Sequence, residues 1–245
     1  MTLLLLGGTS EARALAKRLH PDVDLISSLA GRVPDPALPV GPVRIGGFGG
    51  APGLRKYLAE NAITAVVDAT HPFAATITAN AAQACADLHL PHLVLARPAW
   101  PHGDAVIVAN DREAALTVKD RGYQRIFLTT GRSGTTAFRG NDAWFLIRAV
   151  TPPEPETLPP NHEILLSRGP YDYDNELALL RTYDIDALVT KNSGGAMTRA
   201  KIDAAQAQSV PVIMVDRPAL PAGVTTVSTV VDAERWVRNP GTSAG

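Results

Sequence analysis

Apolar residues in the first hundred positions fall in short solid runs, such as Leu3 to Leu6 and Ala65-Val66-Val67, with polar segments of helical spacing between them. Runs of four to six apolar residues without clean alternation fit strands of a parallel sheet that is covered on both faces. They predict strands near 2–6, 23–28, 43–46, 64–69 and 92–96, and the intervening segments predict helices near 10–20, 52–61 and 73–88. Strand–helix alternation of this kind predicts a doubly wound α/β sheet.

The second half repeats the pattern. Ile126 to Thr130 leads into Gly131 as Leu3 to Leu6 leads into Gly7 and Gly8. Ala187-Leu188-Val189 echoes Ala65-Val66-Val67, and the strand ending in Arg217-Pro218 echoes the one ending in Arg97-Pro98. The three offsets are 123, 122 and 120 residues. Near-constant spacing of three landmarks argues for two similar α/β domains in tandem, against the plainer view that any two βα units look alike. The expected division is 1–100 and 101–245, with a junction near 99–125 that holds a strand over 105–109 and a helix over 111–120. Pro152 to Pro160 is expected to be a surface loop, and the tail from Asn239 to be disordered.

Composition narrows the function. Hydrophobic residues make up 45% and charged residues 19% of 245, an ordinary globular balance. The net charge of −1 offers no basic field for nucleic acid. No apolar run approaches a membrane span. The leucines near the start lack a basic flank and a cleavage pattern, so they read as a strand and not a signal peptide. The single cysteine, Cys85, excludes an internal disulfide and reads as core packing. Six histidines show no ligand spacing, so no metal site is expected. Together these predict a cytoplasmic protein, taken as a monomer.

Candidate chemistry lies at the strand ends, where loops of a parallel sheet converge. Gly7-Gly8-Thr9-Ser10-Glu11-Ala12 departs from the G-x-G-x-x-G fingerprint, with Thr9 and Ala12 at the second and third glycine positions. It still offers a glycine turn and helix start for a pyrophosphate, with Thr9 or Ser10 as cap; the competing view is a plain βα turn. After the second strand stand Ser27, Ser28 and Arg32 where an NAD enzyme usually places an acid, which favours a 2′-phosphate and hence NADPH. Asp68-Ala69-Thr70-His71-Pro72 follows a buried strand, with Pro72 suited to a helix's first turn, and places Thr70 and His71 near the reactive end of such a cofactor. His71 there is either a proton donor or an ordinary hydrogen-bonded histidine. In the second half, Gly131-Arg132-Ser133, Ser167-Arg168-Gly169-Pro170-Tyr171 and Lys191-Asn192-Ser193 are strand ends that each carry a cation. With Arg97 they suit a ligand bearing several carboxylates or phosphates, unless each is a separate surface charge.

The stretches Gly7-Gly8-Thr9-Ser10-Glu11-Ala12-Arg13, Asp68-Ala69-Thr70-His71-Pro72-Phe73-Ala74, Ala96-Arg97-Pro98, Thr130-Gly131-Arg132 and Lys191-Asn192-Ser193-Gly194-Gly195 resemble the precorrin-6A reductase family of cobalamin biosynthesis over residues 7 to 195. The resemblance implies two Rossmann-like domains with mainly parallel sheets and an active site in the cleft between them. It implies NADPH-dependent reduction of the eighteen–nineteen double bond of the precorrin-6A macrocycle to give precorrin-6B, and leaves open whether the macrocycle carries cobalt. The cofactor would take Gly7, Gly8, Thr9, Ser10, Glu11, Ser27, Ser28, Arg32, Thr70 and His71. The tetrapyrrole's acidic arms would take Arg97, Gly131, Arg132, Ser133, Arg168, Lys191, Asn192 and Ser193. His71 is the first candidate proton donor, with Tyr171 or Lys191 behind it, and water or a substrate carboxylic acid as further options. The rival from another class is a non-catalytic NADP(H)-sensing protein. A short-chain dehydrogenase is disfavoured, because no tyrosine has a lysine four residues on.

Overall fold

The computed structural model describes residues 1–31 and 36–239. Arg32 and the tail beyond Asn239 therefore lie outside the described residues. The chain divides into unit 1, Met1–Pro98 with the segment from Pro218, and unit 2, Ala99–Arg217.

Unit 1 opens with β1 (Thr2–Leu6), α1 (Ser10–Leu19), β2 (Asp24–Leu29), β3 (Val43–Ile45), α2 (Gly50–Glu60), β4 (Ala65–Asp68), α3 (Ala75–Asp87) and β5 (His92–Leu95). Each lies within two residues of its predicted bounds. The leucine run of β1 explains the layering. Leu3 and Leu5 pack with Leu15 and Ala16 of α1 on one face. Leu4 and Leu6 pack with Leu54 and Leu58 of α2 and with Ala81 and Cys85 of α3 on the other. A strand covered on both faces has no polar face to show, hence the solid run. Burial pushes the Cys85 thiol up to about 12, which leaves it an inert core residue.

Unit 2 contains β6 (Val106–Val108), α4 (Asp111–Asp120), β7 (Arg125–Leu128), a 3-10 helix (Arg132–Phe138), β8 (Trp144–Ala149), β9 (Asn161–Leu166), α5 (Tyr173–Thr182), β10 (Ala187–Lys191), α6 (Ala200–Ala207) and β11 (Val212–Val215). The chain ends in β12 (Thr225–Val227) and α7 (Val230–Arg238). The proline-rich stretch is irregular apart from a 3-10 turn at Pro155–Thr157.

Among the described residues all strand pairs are parallel. The first sheet runs β3-β2-β1-β4-β5-β12, and the second runs β9-β8-β7-β10-β11-β6. Each has the 3-2-1-4-5-6 spatial order of a dinucleotide-binding sheet. The sixth strands are exchanged. β6 follows β5 in the chain but pairs with β11, and β12 follows β11 but pairs with β5. This corrects the expected division: the end of the chain belongs to unit 1, not to unit 2. The reason is packing. Trp236 and Val237 of α7 join the apolar cluster built on β1 and α1. Local propensity cannot tell which of two similar sheets a strand will join.

The exchanged pieces match one another. Val108 and Val227, Asn110 and Thr229, Ala114 and Ala233, and Val118 and Val237 each stand 119 residues apart. Asn110 and Thr229 both cap the following helix by accepting a backbone N–H. The apolar members of these pairs are all buried.

Candidate functional site

In unit 1 the strand order reverses between β1 and β4, the place where open α/β sheets take their ligands. The glycine turn lies there. Gly7 donates its N–H to the Ser28 carbonyl at 2.9 Å. A Cβ on Gly7 would stand 3.3 Å from the Ala12 Cβ, so the turn hugs the helix. Gly8 has φ +111°, and a Cβ there would meet nothing within 4 Å. Backbone of this kind is open to glycine and strained for other residues. Thr9 closes the turn: its Oγ1 accepts from Ala12 N at 3.1 Å and donates to the Ala69 carbonyl at 2.7 Å. The first N–H groups of α1 have no acceptor within the helix. Open space over Gly8 beside a capped helix start fits a dinucleotide pyrophosphate. The Thr9 hydroxyl is engaged on both sides, which leaves its backbone as the part that could face a ligand.

Ser10 donates to Glu11 Oε2 at 3.0 Å, and Arg97 Nη1 reaches the same oxygen at 2.9 Å. Burial pushes the Glu11 carboxyl up, but the Arg97 charge and the hydrogen bonds outweigh it, so the net shift is downward. The Arg97 guanidinium thereby offsets the Glu11 charge in the first turn of α1. Arg97, expected to hold substrate, is anchored within unit 1 on Glu11.

At the end of β2, Ser27 is buried and its hydroxyl has no hydrogen-bond partner among the described residues. Ser28 accepts from Arg44 Nη1 at 3.0 Å. Arg44 also donates to the carbonyls of Gly46 and Gly47, and stacks over the Phe48 ring at 3.9 Å. The sequence reading missed Arg44. A lone cation inside a short apolar strand just before Gly46-Gly47 was the available signal.

At the end of β4, Asp68 is 1% exposed and accepts three hydrogen bonds. Thr70 gives its N–H at 2.9 Å and its hydroxyl at 2.6 Å, and Thr78 its hydroxyl at 2.6 Å. These bonds shape the Thr70–Ala74 loop, so α3 starts at Ala75 and Pro72 precedes the helix instead of opening it. His71 is exposed, and its Nδ1 accepts the Phe73 N–H at 3.2 Å. The neutral ring therefore carries its proton on Nε2. Burial lowers the pKa of His92 on β5, with the Asp68 charge opposing.

Unit 2 fills the same topological slot differently. Gly131 has φ +77° but leads into a 3-10 helix without a side-chain cap. Lys191 donates to the Thr130 carbonyl at 2.8 Å and pairs with Asp111 Oδ2 at 3.4 Å. Asn192 is fully buried; its amide accepts from Trp100 N at 2.9 Å and donates to Trp100 O at 3.3 Å. It fixes the backbone at Trp100. The Ser193 carbonyl accepts from Arg217 at 3.0 Å. Arg132, Ser133 and Arg168 are exposed, and neither arginine has a carboxylate within 4.0 Å among the described residues. Tyr171 donates its hydroxyl to the Ser167 carbonyl at 3.2 Å.

A glycine turn at the switch point of a 3-2-1-4-5-6 sheet defines the class: an α/β protein of the dinucleotide-binding type. Among known proteins, the family model described as precorrin-6x reductase CbiJ/CobK matches residues 2–238. A precorrin-6A reductase of Mycobacterium tuberculosis is 65% identical over 96% of both chains. Another, from Rhodococcus erythropolis, is 52% identical over 96% of both. A solved structure of CobK precorrin-6A reductase matches over 100% of each chain, with TM-score 0.89 and 37% identity. The chain belongs to the precorrin-6x reductase family.

Proposed function

We propose that this enzyme, an oxidoreductase of cobalamin biosynthesis, reduces precorrin-6A to precorrin-6B with NADPH as the electron source. The observation that carries the reading is the open turn at Gly8, at the sheet's switch point, in a chain whose family match covers residues 2–238. The names of the 65% and 52% identical relatives favour the metal-free macrocycle over its cobalt form.

When bound, the nicotinamide supplies a hydride to one ring carbon. The chain's own tasks are binding, orientation and proton supply. Gly7, Gly8 and the start of α1 would hold the pyrophosphate. Ser28 and Arg44 would meet the 2′-phosphate, a role for which Arg32 is the neighbouring candidate; a guanidinium suits that group and a carboxylate would repel it. Asp68 shapes the Thr70–His71 loop, and His71 holds a proton at Nε2 for the carbon next to the one reduced. Its hydrogen-bonded Nδ1 supports this role over Tyr171, whose proton is engaged by Ser167 O, and over Lys191, which is paired with Asp111. Arg132 and Arg168 are the exposed cations for the macrocycle's carboxylate arms.

The test is anaerobic turnover of purified protein with precorrin-6A and either NADPH or NADH. One NADPH oxidised per precorrin-6B formed is the expected result. NADPH binding without macrocycle reduction would favour the sensor reading.

A further inference from the structure

Unit 2 holds a buried ionic cluster that the proposed reaction does not use. Arg148 on β8, Glu176 on α5 and Lys201 on α6 are 6%, 2% and 5% exposed. Arg148 donates to both oxygens of Glu176, at 2.9 and 2.7 Å. Lys201 adds a second cation with no carboxylate within 4.0 Å among the described residues. Burial lowers its ammonium to about 7, with the Arg148 charge adding to the shift and Glu176 opposing it. A buried pair with an extra cation is a poor route to stability, since apolar side chains of like volume commonly do as well.

The connections of the cluster give it another purpose. The Arg148 guanidinium stacks 4.0 Å from the Tyr171 ring, at the end of the loop after β9. Lys201 Nζ donates to the Thr198 carbonyl at 2.7 Å, in the loop after β10. It also lies 5.0 Å from the ring of Trp100, whose indole N–H donates to the Gly195 carbonyl of that loop at 2.8 Å. The loops are joined directly: Tyr171 N donates to the Met197 carbonyl at 3.0 Å. A Cβ on Gly169 would stand 3.2 Å from that same oxygen, so the approach is close.

We propose that the Arg148–Glu176 pair and Lys201 are positioning residues, which hold the Ser167–Tyr171 and Gly194–Thr198 loops in the arrangement that receives the macrocycle. This rests on the reading that the strand ends of unit 2 take the tetrapyrrole. Bidentate bonding and ring stacking fix a guanidinium in distance and angle, and misplacement of a binding group by about 1 Å can cost on the order of 100-fold in rate.

The test uses the full-length double variant Arg148→Met/Glu176→Leu, which removes both charges together. Expected are a melting temperature near that of the unaltered protein, a KM for precorrin-6A raised at least about fivefold and an unchanged KM for NADPH. A native melting temperature with a native macrocycle KM overturns the proposal. If the double variant does not fold, Lys201→Met decides: a macrocycle KM raised about threefold or more supports the role, and a native value overturns it. Arg168→Ala runs alongside. If it raises the macrocycle KM while the cluster variants do not, only the positioning role falls. If none of the three moves it, the assignment of these loops to the substrate falls as well.

Discussion

The two units share a strand order but use its first turn in different ways. In unit 1, Gly8 opens into a ten-residue helix capped by Thr9. In unit 2, Gly131 opens into a seven-residue 3-10 helix with no side-chain cap, and the strand ends nearby carry a Lys191–Asp111 pair. A helix N-terminus presents aligned N–H groups to an anion, whereas a short 3-10 segment has poorer alignment and little length. The same topological slot therefore presents aligned backbone N–H groups in one unit and a 3-10 turn beside an ion pair in the other. Topology sets where chemistry can occur, and the residues after the glycine decide which kind.

The sharpest way to break this contrast is at the two glycines. Gly8→Val adds both strain and a branched side chain to open space, and should raise the KM for NADPH by about tenfold or more. Gly131→Ala, also at positive φ, should leave that constant unchanged. Equal effects on cofactor binding would erase the difference between the units.

The next contrast compares Asp68 with Thr190, which stands 122 residues on. Asp68→Ala removes the acceptor of three bonds and should lower both kcat and melting temperature, at about 1–3 kcal/mol for the donors left unmet. Asp68→Asn should restore most of the melting temperature, because it keeps an acceptor for Thr70. Thr190→Val should cost little, since its hydroxyl makes one long bond of 3.3 Å. Steady-state kinetics with thermal melts would check all three.

A smaller effect is expected at the exposed cations. Arg132→Ala should raise the precorrin-6A KM about threefold while the NADPH KM holds, whereas Arg44→Ala should do the reverse and affect NADPH more than NADH.

The smallest effect is on stability with pH. The Lys201 pKa is about 7 when folded, against the usual value near 10.5. Between these values the unfolded chain binds more protons, so stability rises with pH across that window. The penalty is complete below about 7 and gone above about 10.5. Lys201→Met should flatten this rise in a series of thermal melts from pH 6 to pH 10.

Sequence alone determined the elements, the class and the family. The leucines of β1 had to lie between two layers, because a strand without a polar face has nowhere else to go. The glycine turn and Asp68-Ala69-Thr70-His71 marked two strand ends that the fold brings to one sheet edge. Tertiary structure decided everything that depends on partners remote in the chain. Pairing register and helix packing assigned β12 to unit 1, which propensity could not. Contacts made after folding determined which cations were available: Arg97 meets Glu11 across 86 residues, and Lys191 meets Asp111, while Arg132 and Arg168 stay exposed. Arg148 and Lys201 gave no motif to read, because what each side chain meets is set by packing between elements remote in the chain. A charge pattern in one dimension names the ions; only the packed chain shows which of them neutralise one another.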